Sequence, residues 1–594
     1  MAYQAKKLIN DPKDVVTECI EGMVETYPGL QYLDGFPDIK VVLRADVSGS
    51  TFDKVAVISG GGSGHEPAHA GFVGEGMLTA AVCGDVFTSP PVDSILAAIR
   101  AVTGPKGCLM IVKNYTGDRL NFGLAAEEAK SEGYNVEMVI VGDDCALPPP
   151  RGVAGRRGLA GTILVHKIAG AAAAAGLCLA DVTAEAKHAS EVVGTMGVAF
   201  SVCTRPGHVT SDRLGPGVME LGLGIHGEPG AAIADLLPAD VVVSHVLKQI
   251  LSSETQYVPI TRGNRVVLMI NGLGTTPTME LMIATGKAVP QLQLEHGLAV
   301  DRVYTGSFMT SLDMAGFSIS IMRADPKILQ RLDAPTKSPF WPVGVEGDHP
   351  PAKIPVPVPP RRTETHDEFS TQPQELSEQG CILEVAIEAA AKEIIRLRDQ
   401  LNEWDSKVGD GDCGTTMFRG AMAVLEDIKK CYPLNDAART INEIGVTIGR
   451  VMGGTSGILY EIFCRAAYAS LKGTPQVTSK QWTKALDAAI AAVSKYGGAY
   501  AGYRTMLDAL IPASTVLKER LNAGDDPVTA FVLSAEAAWS GAESTINMQA
   551  QAGRSSYVSA EMLASAPDPG AMAVASWYTA AAFAVQSKLR APKD

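Results

Sequence analysis

A change of texture across a proline-rich break predicts a multidomain chain: a two-lobed α/β unit with parallel-type sheets, followed by an all-α unit. Three observations carry that expectation. At 594 residues the chain exceeds what one hydrophobic core supports. Residues 1–335 alternate short β-branched runs with helical segments. Residues 377–594 place apolar side chains at helical spacing and contain few β-branched runs.

In order along the chain, the runs at 55–58, 109–112, 136–141 and 266–270 each end in a loop rich in Gly, Asn or Asp. Helical segments such as 121–131 and 162–176 lie between them. Apolar strands separated by helices imply parallel sheets covered on both faces. This length is generous for one sheet, so two lobes are expected, dividing near 185–200. The alanine run 171–175 reads as a close-packed helix. Residues 336–376 read as a linker, because six prolines between His349 and Pro360 exclude a helix or central strand and favour an extended spacer. Beyond it, Ile387, Ala390, Ile394, Leu397 and Leu401 form one helical stripe, which reaches Asp405 four residues later. Alanine-rich amphipathic stretches continue to the C-terminus, and six to eight helices are expected.

Hydrophobic residues make up 46% of the chain and charged residues 20%, the balance of a well-buried globular protein. A net charge of −14 argues against a nucleic-acid or anionic-membrane partner. Any phosphate must then be held by local backbone donors, cations or metal. The ten cysteines show no paired spacing, which fits free thiols in a reducing compartment. The first residues lack the apolar core of a signal peptide, and no run reaches the roughly 18 apolar residues of a membrane span. A cytoplasmic protein is the expectation.

The most pointed motif places Asp405, Asp410 and Asp412 within eight residues. Two carboxylates about 4 Å apart repel by roughly 4 kcal/mol at an effective dielectric of 20, so such a cluster needs a cation. No histidine follows His366 and no CxxC pair lies downstream. An oxygen-only site suits magnesium, which binds carboxylates together with phosphate oxygens. Glycines beside the aspartates let backbone N–H groups approach that phosphate. The segment 452–457 opens a helix with small donors, and 504–508, 553–557 and 568–570 add polar breaks between helices.

In the first unit, the strand at 55–58 empties into a glycine loop, 60–64, able to wrap an anion or a small polar ligand. It fits neither the Rossmann nor the Walker pattern. His65 follows directly, as a base or as a ligand-orienting group. Lys113 and Asp118 lie beyond another strand, where open α/β sheets bind ligands. Asp118 reads equally as a helix N-cap or as a base for a hydroxyl. His226 stands among glycines with little to pack against, which favours ligand contact. His69, His166, His188, His208, His245 and His296 read as satisfied or surface groups.

The motifs GGGSGHEP, KNYTGD, GIHGEPG, NEWDSKVGDGDCGTT, GGTSG, RTMLDAL, GRSSY and DPGA fall in one order. In this the chain resembles, over essentially its whole length, the ATP-dependent dihydroxyacetone kinases, also called glycerone kinases or triokinases. The resemblance implies an α/β dihydroxyacetone-binding domain joined by an extended linker to an all-α helical barrel that binds ATP. It implies phosphorylation of dihydroxyacetone and of D-glyceraldehyde. His226 would form a covalent hemiaminal with the ketone. Gly62, Ser63, Gly64, His65 and Lys113 would hold the substrate, and Asp118, assisted by His65, would accept the proton of the attacking hydroxyl.

By the same resemblance, Asp405, Asp410 and Asp412 would hold magnesium ions that bridge the ATP phosphates. Asp412, Cys413, Gly414, Thr415, Thr455, Ser456, Thr505, Met506, Arg554, Asp568, Pro569 and Gly570 would lie around the nucleotide. Neither unit holds everything: the first lacks a clustered metal site and the second lacks any histidine. A homodimer is expected, domain-swapped if the linker is too short for both sites of one chain to meet. Two alternatives stand beside the kinase. In one, the helical unit splits FAD into AMP and cyclic FMN with manganese, as some animal relatives of the family do, which needs the acidic cluster but not His226. In the other, the protein binds a triose as a regulator without turnover, against which the intact acidic cluster argues.

Overall fold

The computed structural model describes residues 7–48, 52–147, 155–345, 355–359, 373, 375–474 and 476–590. Much of the expected linker (346–354, 360–372 and 374) and the first six residues lie outside them, as does the side chain of Arg554. The chain divides into two compact units, Met1–Pro357 and Val358–Asp594.

In the first unit a six-stranded sheet is built from β1 (Leu30–Tyr32), β2 (Val41–Arg44), β3 (Ala56–Ser63), β4 (Ala80–Val86), β5 (Cys108–Lys113) and β6 (Val136–Val141). Their spatial order is β1-β2-β4-β3-β5-β6, with β4, β3, β5 and β6 parallel and the β1 edge antiparallel. The second sheet comprises β7 (Val193–Ala199), β8 (Val218–Leu221), β9 (Ala232–Asp235), β10 (Arg265–Gly272), β11 (Ala299–Gly306) and β12 (Gly316–Arg323), in the order β11-β10-β12-β7-β8-β9. The helices are α1 (Val15–Thr26), α2 (Val92–Val102), α3 (Thr116–Ser131), α4 (Thr162–Ala174), α5 (Leu179–Glu191), α6 (Ala239–Ile250), α7 (Thr278–Pro290) and α8 (Pro326–Asp333).

Side chains of β5 alternate in direction: Cys108, Met110 and Val112 pack with Ile95 and Phe122 of α2 and α3. Leu109 and Ile111 pack with Ile163 and Val182 of α4 and α5. Burial on both faces is why this strand reads as an unbroken apolar run. The expectation of parallel sheets needs correction for the second sheet, where only β10 and β11 pair in parallel. Parallel neighbours need a crossover, and in that sheet it is α7 that carries the chain from β10 to β11. The loops from β7 to β8, from β8 to β9 and from β11 to β12 contain no α-helix, and their strands pair antiparallel where they meet.

The second unit is all-α, with α9 (Glu378–Arg396), α10 (Arg398–Val408), α11 (Cys413–Asp427), α12 (Ala437–Val451), α13 (Gly454–Leu471), α14 (Ser479–Gly497), α15 (Leu507–Ala523), α16 (Pro527–Ser544), α17 (Ala560–Leu563) and α18 (Pro569–Arg590). From α11 each helix packs on the next as far as α16, which packs on α18; α18 packs on α9, and α9 closes the ring on α11. The result is an eight-helix barrel around a cavity of about 580 Å³ lined mainly by apolar groups such as Ile387, Phe463, Trp482 and Phe531.

Ten α-helices among the described residues of this unit exceed the six to eight expected. One reason is that the stripe from Ile387 to Leu401 is not one helix: at Leu397 (φ −90°, ψ 3°) the chain leaves α9 and restarts as α10. No helix among the described residues is long and apolar enough to cross a membrane, and all ten cysteines are free.

Candidate active site and metal centre

The carboxyl ends of β3 and β5 lie side by side, with Gly60 opposite Val112. A Cβ at Gly60 would stand 2.2 Å from the Val82 carbonyl oxygen, so only glycine permits this strand spacing. At Gly64, φ is +102° and a Cβ would come within 2.8 Å of the Phe87 ring. That turn delivers buried His65 against Phe87, the rings stacked at 5.1 Å. β5 ends at Lys113, only 1% exposed, and α3 carries buried Asp118 in its first turn. Lys113 Nζ and Asp118 Oδ2 each lie 3.4 Å from the point a Gly61 Cβ would occupy, so both groups face one spot. Ser89 Oγ donates to Asp118 Oδ1 at 2.5 Å.

His226 lies in the loop between β8 and β9, and its Nε2 is 3.2 Å from His65 Nε2. His65 Nδ1 is 2.8 Å from the Thr310 carbonyl oxygen. A carbonyl only accepts, so His65 Nδ1 carries the hydrogen and its Nε2 lone pair faces His226, whose Nε2–H donates. Burial, then the charges of Lys113 and His226, hold His65 well below the ordinary imidazole range, so it is a neutral base. Burial likewise lowers Lys113, against the opposing pull of Asp118, Glu228 and Glu66.

Glu228 Oε2 accepts from His226 N at 3.0 Å and lies 3.7 Å from His226 Nδ1. Its other oxygen is 3.7 Å from Arg157 Nη1, and Arg157 Nε is anchored by Asp144 at 2.6 Å. Although burial opposes it, hydrogen bonding to His226 and the charges of His226 and Arg157 hold the Glu228 carboxyl at about 2. A depressed carboxylate contributes stability that is fully present above its ordinary value of 4.5 and is lost as pH falls toward 2. Thermal melts between pH 5 and 2 should therefore show a smaller acid loss for Glu228→Gln than for the wild-type chain; equal losses would refute the coupling.

In the second unit, Asp405, Asp410 and Asp412 each offer an oxygen within 4.8 Å of the others. Asp405 Oδ2 also accepts from the backbone N–H of Asp412 (2.9 Å) and Cys413 (3.0 Å), folding the loop onto α10. Asn402 and Thr415 exchange two hydrogen bonds, at 2.9 and 3.0 Å. Three carboxylates with no nitrogen or sulfur donor fit a hard divalent ion, magnesium before zinc.

Short loops make successive barrel helices antiparallel, so the N-termini of α11, α13 and α15 share one end of the ring. There stand Cys413, Gly414 and Thr415 at α11, Thr455 and Ser456 at α13, and Thr505 and Met506 just before α15. α10 packs on both α11 and α18, which brings the start of α18 to the acidic loop. Asp568 Oδ2 accepts from Ala571 N at 2.8 Å beside Pro569 and Gly570, and burial pushes its carboxyl up to about 6. Burial first, then Asp405, Asp568, Asp412 and Asp410, push the Cys413 thiol far up, so Asp568 and the acidic loop share one neighbourhood. Arg554 begins a 3-10 turn.

The structure thus gathers His65, Lys113, Asp118 and His226 in one unit and the three aspartates in the other. Glu228, Tyr115 and Asn402 lie inside recognised motifs but carry no role in the sequence reading. Phe87, Ser89 and Arg157 come from distant segments with no local signal. Tyr115 and Phe87 stand edge-on to the His226 ring at 4.8 and 5.0 Å. His69 and His166, read as satisfied, form a buried pair at 3.0 Å with one nitrogen of each lacking a partner.

A polar site at the carboxyl ends of β3 and β5 in one unit, and an oxygen-only cation site on the helical barrel of the other, are the parts of a two-domain kinase of small metabolites. The chain belongs to the dihydroxyacetone kinase family: residues 21–340 match the Dak1 domain and residues 407–583 the DAK2 domain. It is 78% identical over 590 residues to a tomato (Solanum lycopersicum) protein whose name points to 3,4-dihydroxy-2-butanone as substrate, covering 99% of each chain. It is 40% identical to the triokinase/FMN cyclase of Rattus norvegicus, covering 98% of this chain and 99% of that one. The crystal structure of the native dihydroxyacetone kinase of C. freundii matches with a TM-score of 0.74 at 40% identity, over 98% of this chain and 100% of that one. The same enzyme in complex with AMP-PNP and Mg2+ gives 0.73 at 39% identity, with the same coverage.

Proposed function

We propose that the protein transfers the γ-phosphoryl group of ATP to a terminal hydroxyl of dihydroxyacetone and of D-glyceraldehyde. Residues 1–335 bind the triose and residues 377–594 bind the magnesium nucleotide, in a cytoplasmic homodimer. The observation that carries the reading is the 3.2 Å approach of His226 Nε2 to the lone pair of His65, beside buried Lys113 and Asp118. This geometry adds an N–H bond across a C=O bond. His226 Nε2 bonds to the carbonyl carbon, and its proton passes through His65 to the carbonyl oxygen. The captured substrate then lies against the 62–64 backbone, with Lys113 donating to a substrate oxygen.

Asp118, oriented by Ser89, accepts the hydroxyl proton as that oxygen attacks phosphorus. Phosphoryl transfer needs in-line placement and charge neutralisation more than covalent work. Asp405, Asp410 and Asp412 would hold magnesium, which supplies that neutralisation; Cys413, Gly414, Thr415, Thr455, Ser456, Thr505, Met506, Arg554 and the Asp568–Gly570 turn would surround the nucleotide.

The test compares dihydroxyacetone, glyceraldehyde, 3,4-dihydroxy-2-butanone and glycerol in an ATP-coupled assay, with the bound ketone followed by 13C NMR. Turnover is expected with the carbonyl substrates and not with glycerol, which has no carbon for His226 to attack. His226→Ala should abolish the tetrahedral carbon signal and raise KM at least about tenfold. Phosphorylation of glycerol at a rate comparable with dihydroxyacetone would defeat the proposal. FAD cleavage with manganese, without triose phosphorylation, would assign the helical unit a lyase role instead.

A further inference from the structure

The carbon that His226 attacks is the one whose carbonyl makes the neighbouring C–H bonds acidic. A free α-hydroxy ketone enolises when a base reaches such a C–H bond and a proton donor reaches the carbonyl oxygen. This site supplies both. A C–N bond is about 1.5 Å long, so a carbon attached at His226 Nε2 lies within about 5 Å of His65 Nε2. Its two hydroxymethyl neighbours bring O–H and C–H protons to that same nitrogen.

His65 cannot turn away from one proton to take the other, being fixed by Thr310 at 2.8 Å and stacked against Phe87. Lys113 Nζ and Asp118 Oδ2 converge on one spot beside Gly61. Nζ lies 5.6 Å from the centre of the Tyr115 ring, which stands against His226, so Lys113 is the cationic donor on hand for a substrate oxygen. The groups that capture and hold the ketone are therefore also of the kind that interconvert a ketose and an aldose.

We propose that capture by His226 suppresses a latent aldose–ketose isomerisation of the unphosphorylated triose, carried by His65 and Lys113. The proposal rests on the ketone-capture reading given above. While the carbonyl is free, His65 Nε2, once released from the His226 N–H, removes a proton from a hydroxymethyl carbon. The C–H electron pair becomes the C=C bond, the carbonyl π pair moves to oxygen, and the Lys113 ammonium protonates that oxygen. The enediol then collapses in the other sense: the hydroxyl proton on the terminal carbon returns to Lys113, and the C=C pair takes the proton from His65 at the central carbon. Dihydroxyacetone becomes glyceraldehyde, no electron acceptor is consumed, and both side chains regain their starting states. Once His226 holds the central carbon as a tetrahedral adduct, no π bond remains to receive the C–H pair. The adduct protects the substrate from the base that serves its capture.

The test needs neither ATP nor metal. The full-length wild-type chain, His226→Ala and His226→Asn are each incubated with saturating 13C-labelled dihydroxyacetone in D2O, and both alanine and asparagine variants are also combined with His65→Asn. NMR reads carbon-bound deuterium, glyceraldehyde and the tetrahedral carbon in one experiment. Both His226 single variants should exchange about a hundredfold faster than wild type and accumulate glyceraldehyde, and His65→Asn should return them to the buffer rate. Exchange no faster than wild type in both single variants, or exchange that survives His65→Asn, overturns the proposal. If wild type shows the tetrahedral signal while the variants stay inert, this inference alone fails. If wild type shows no tetrahedral signal, the ketone-capture reading fails with it.

Discussion

Asp118→Asn lowers kcat for dihydroxyacetone by about 10²–10⁴-fold, the range of a general base, while the tetrahedral adduct at His226 still forms. The substitution is nearly isosteric, and Asp118 sits in the first turn of α3 with its position fixed by Ser89 Oγ at 2.5 Å. An amide in that place keeps the packing but has no lone pair basic enough to take the hydroxyl proton. It also removes the negative charge facing Lys113 across Gly61. The proposed adduct needs His226 and His65, which lie 3.2 Å apart, and no proton transfer to Asp118. Single-turnover phosphorylation and 13C NMR of the bound ketone separate the two effects. A variant within tenfold of wild-type kcat would remove Asp118 from proton transfer.

The contrast between what was legible in the residues and what was not has a physical origin. β5 was legible because both faces are buried, which forces an unbroken apolar run. β3 was legible only as far as Ile58: residues 60–63, expected as a loop, continue the strand, because glycine at Gly60 lets it lie close against β4. The antiparallel second sheet was not, because a single strand reads the same in either pairing direction and only the connections decide. His65, Lys113, Asp118 and His226 stood out in the sequence because they sit in loops, at a strand end or in a helix's first turn, outside the periodicity of core positions. Ser89, Phe87 and Arg157 were invisible because they act only across the fold, on Asp118, on the two imidazoles and on Glu228. In the barrel, the break at Leu397 lies within an apolar stripe that continues across it, so periodicity hides the end of α9.

Asp405→Ala weakens Mg·ADP binding beyond rescue by added magnesium, whereas Asp410→Asn is restored as magnesium rises. The three carboxylates share one small volume but differ in their second duties. Asp405 Oδ2 holds the backbone N–H groups of Asp412 and Cys413, hydrogen bonds to a charged acceptor worth about 1.5–3 kcal/mol each. Without it the loop loses the bonds that carry it from α10 into α11, and Asp412 leaves its place along with the missing ligand. Asp410→Asn keeps an oxygen and removes one unit of charge. Two charges 4 Å apart interact by about 4 kcal/mol at an effective dielectric of 20, so a loss of at least about tenfold in affinity is expected at limiting magnesium. Mass action at higher magnesium offsets that loss because the remaining ligands are still in position. Calorimetric titration of ADP at several magnesium concentrations reads both behaviours. Wild-type affinity for Asp410→Asn at limiting magnesium would remove this loop as the cation site, and equal rescue of both variants would remove Asp405 as the residue that organises it.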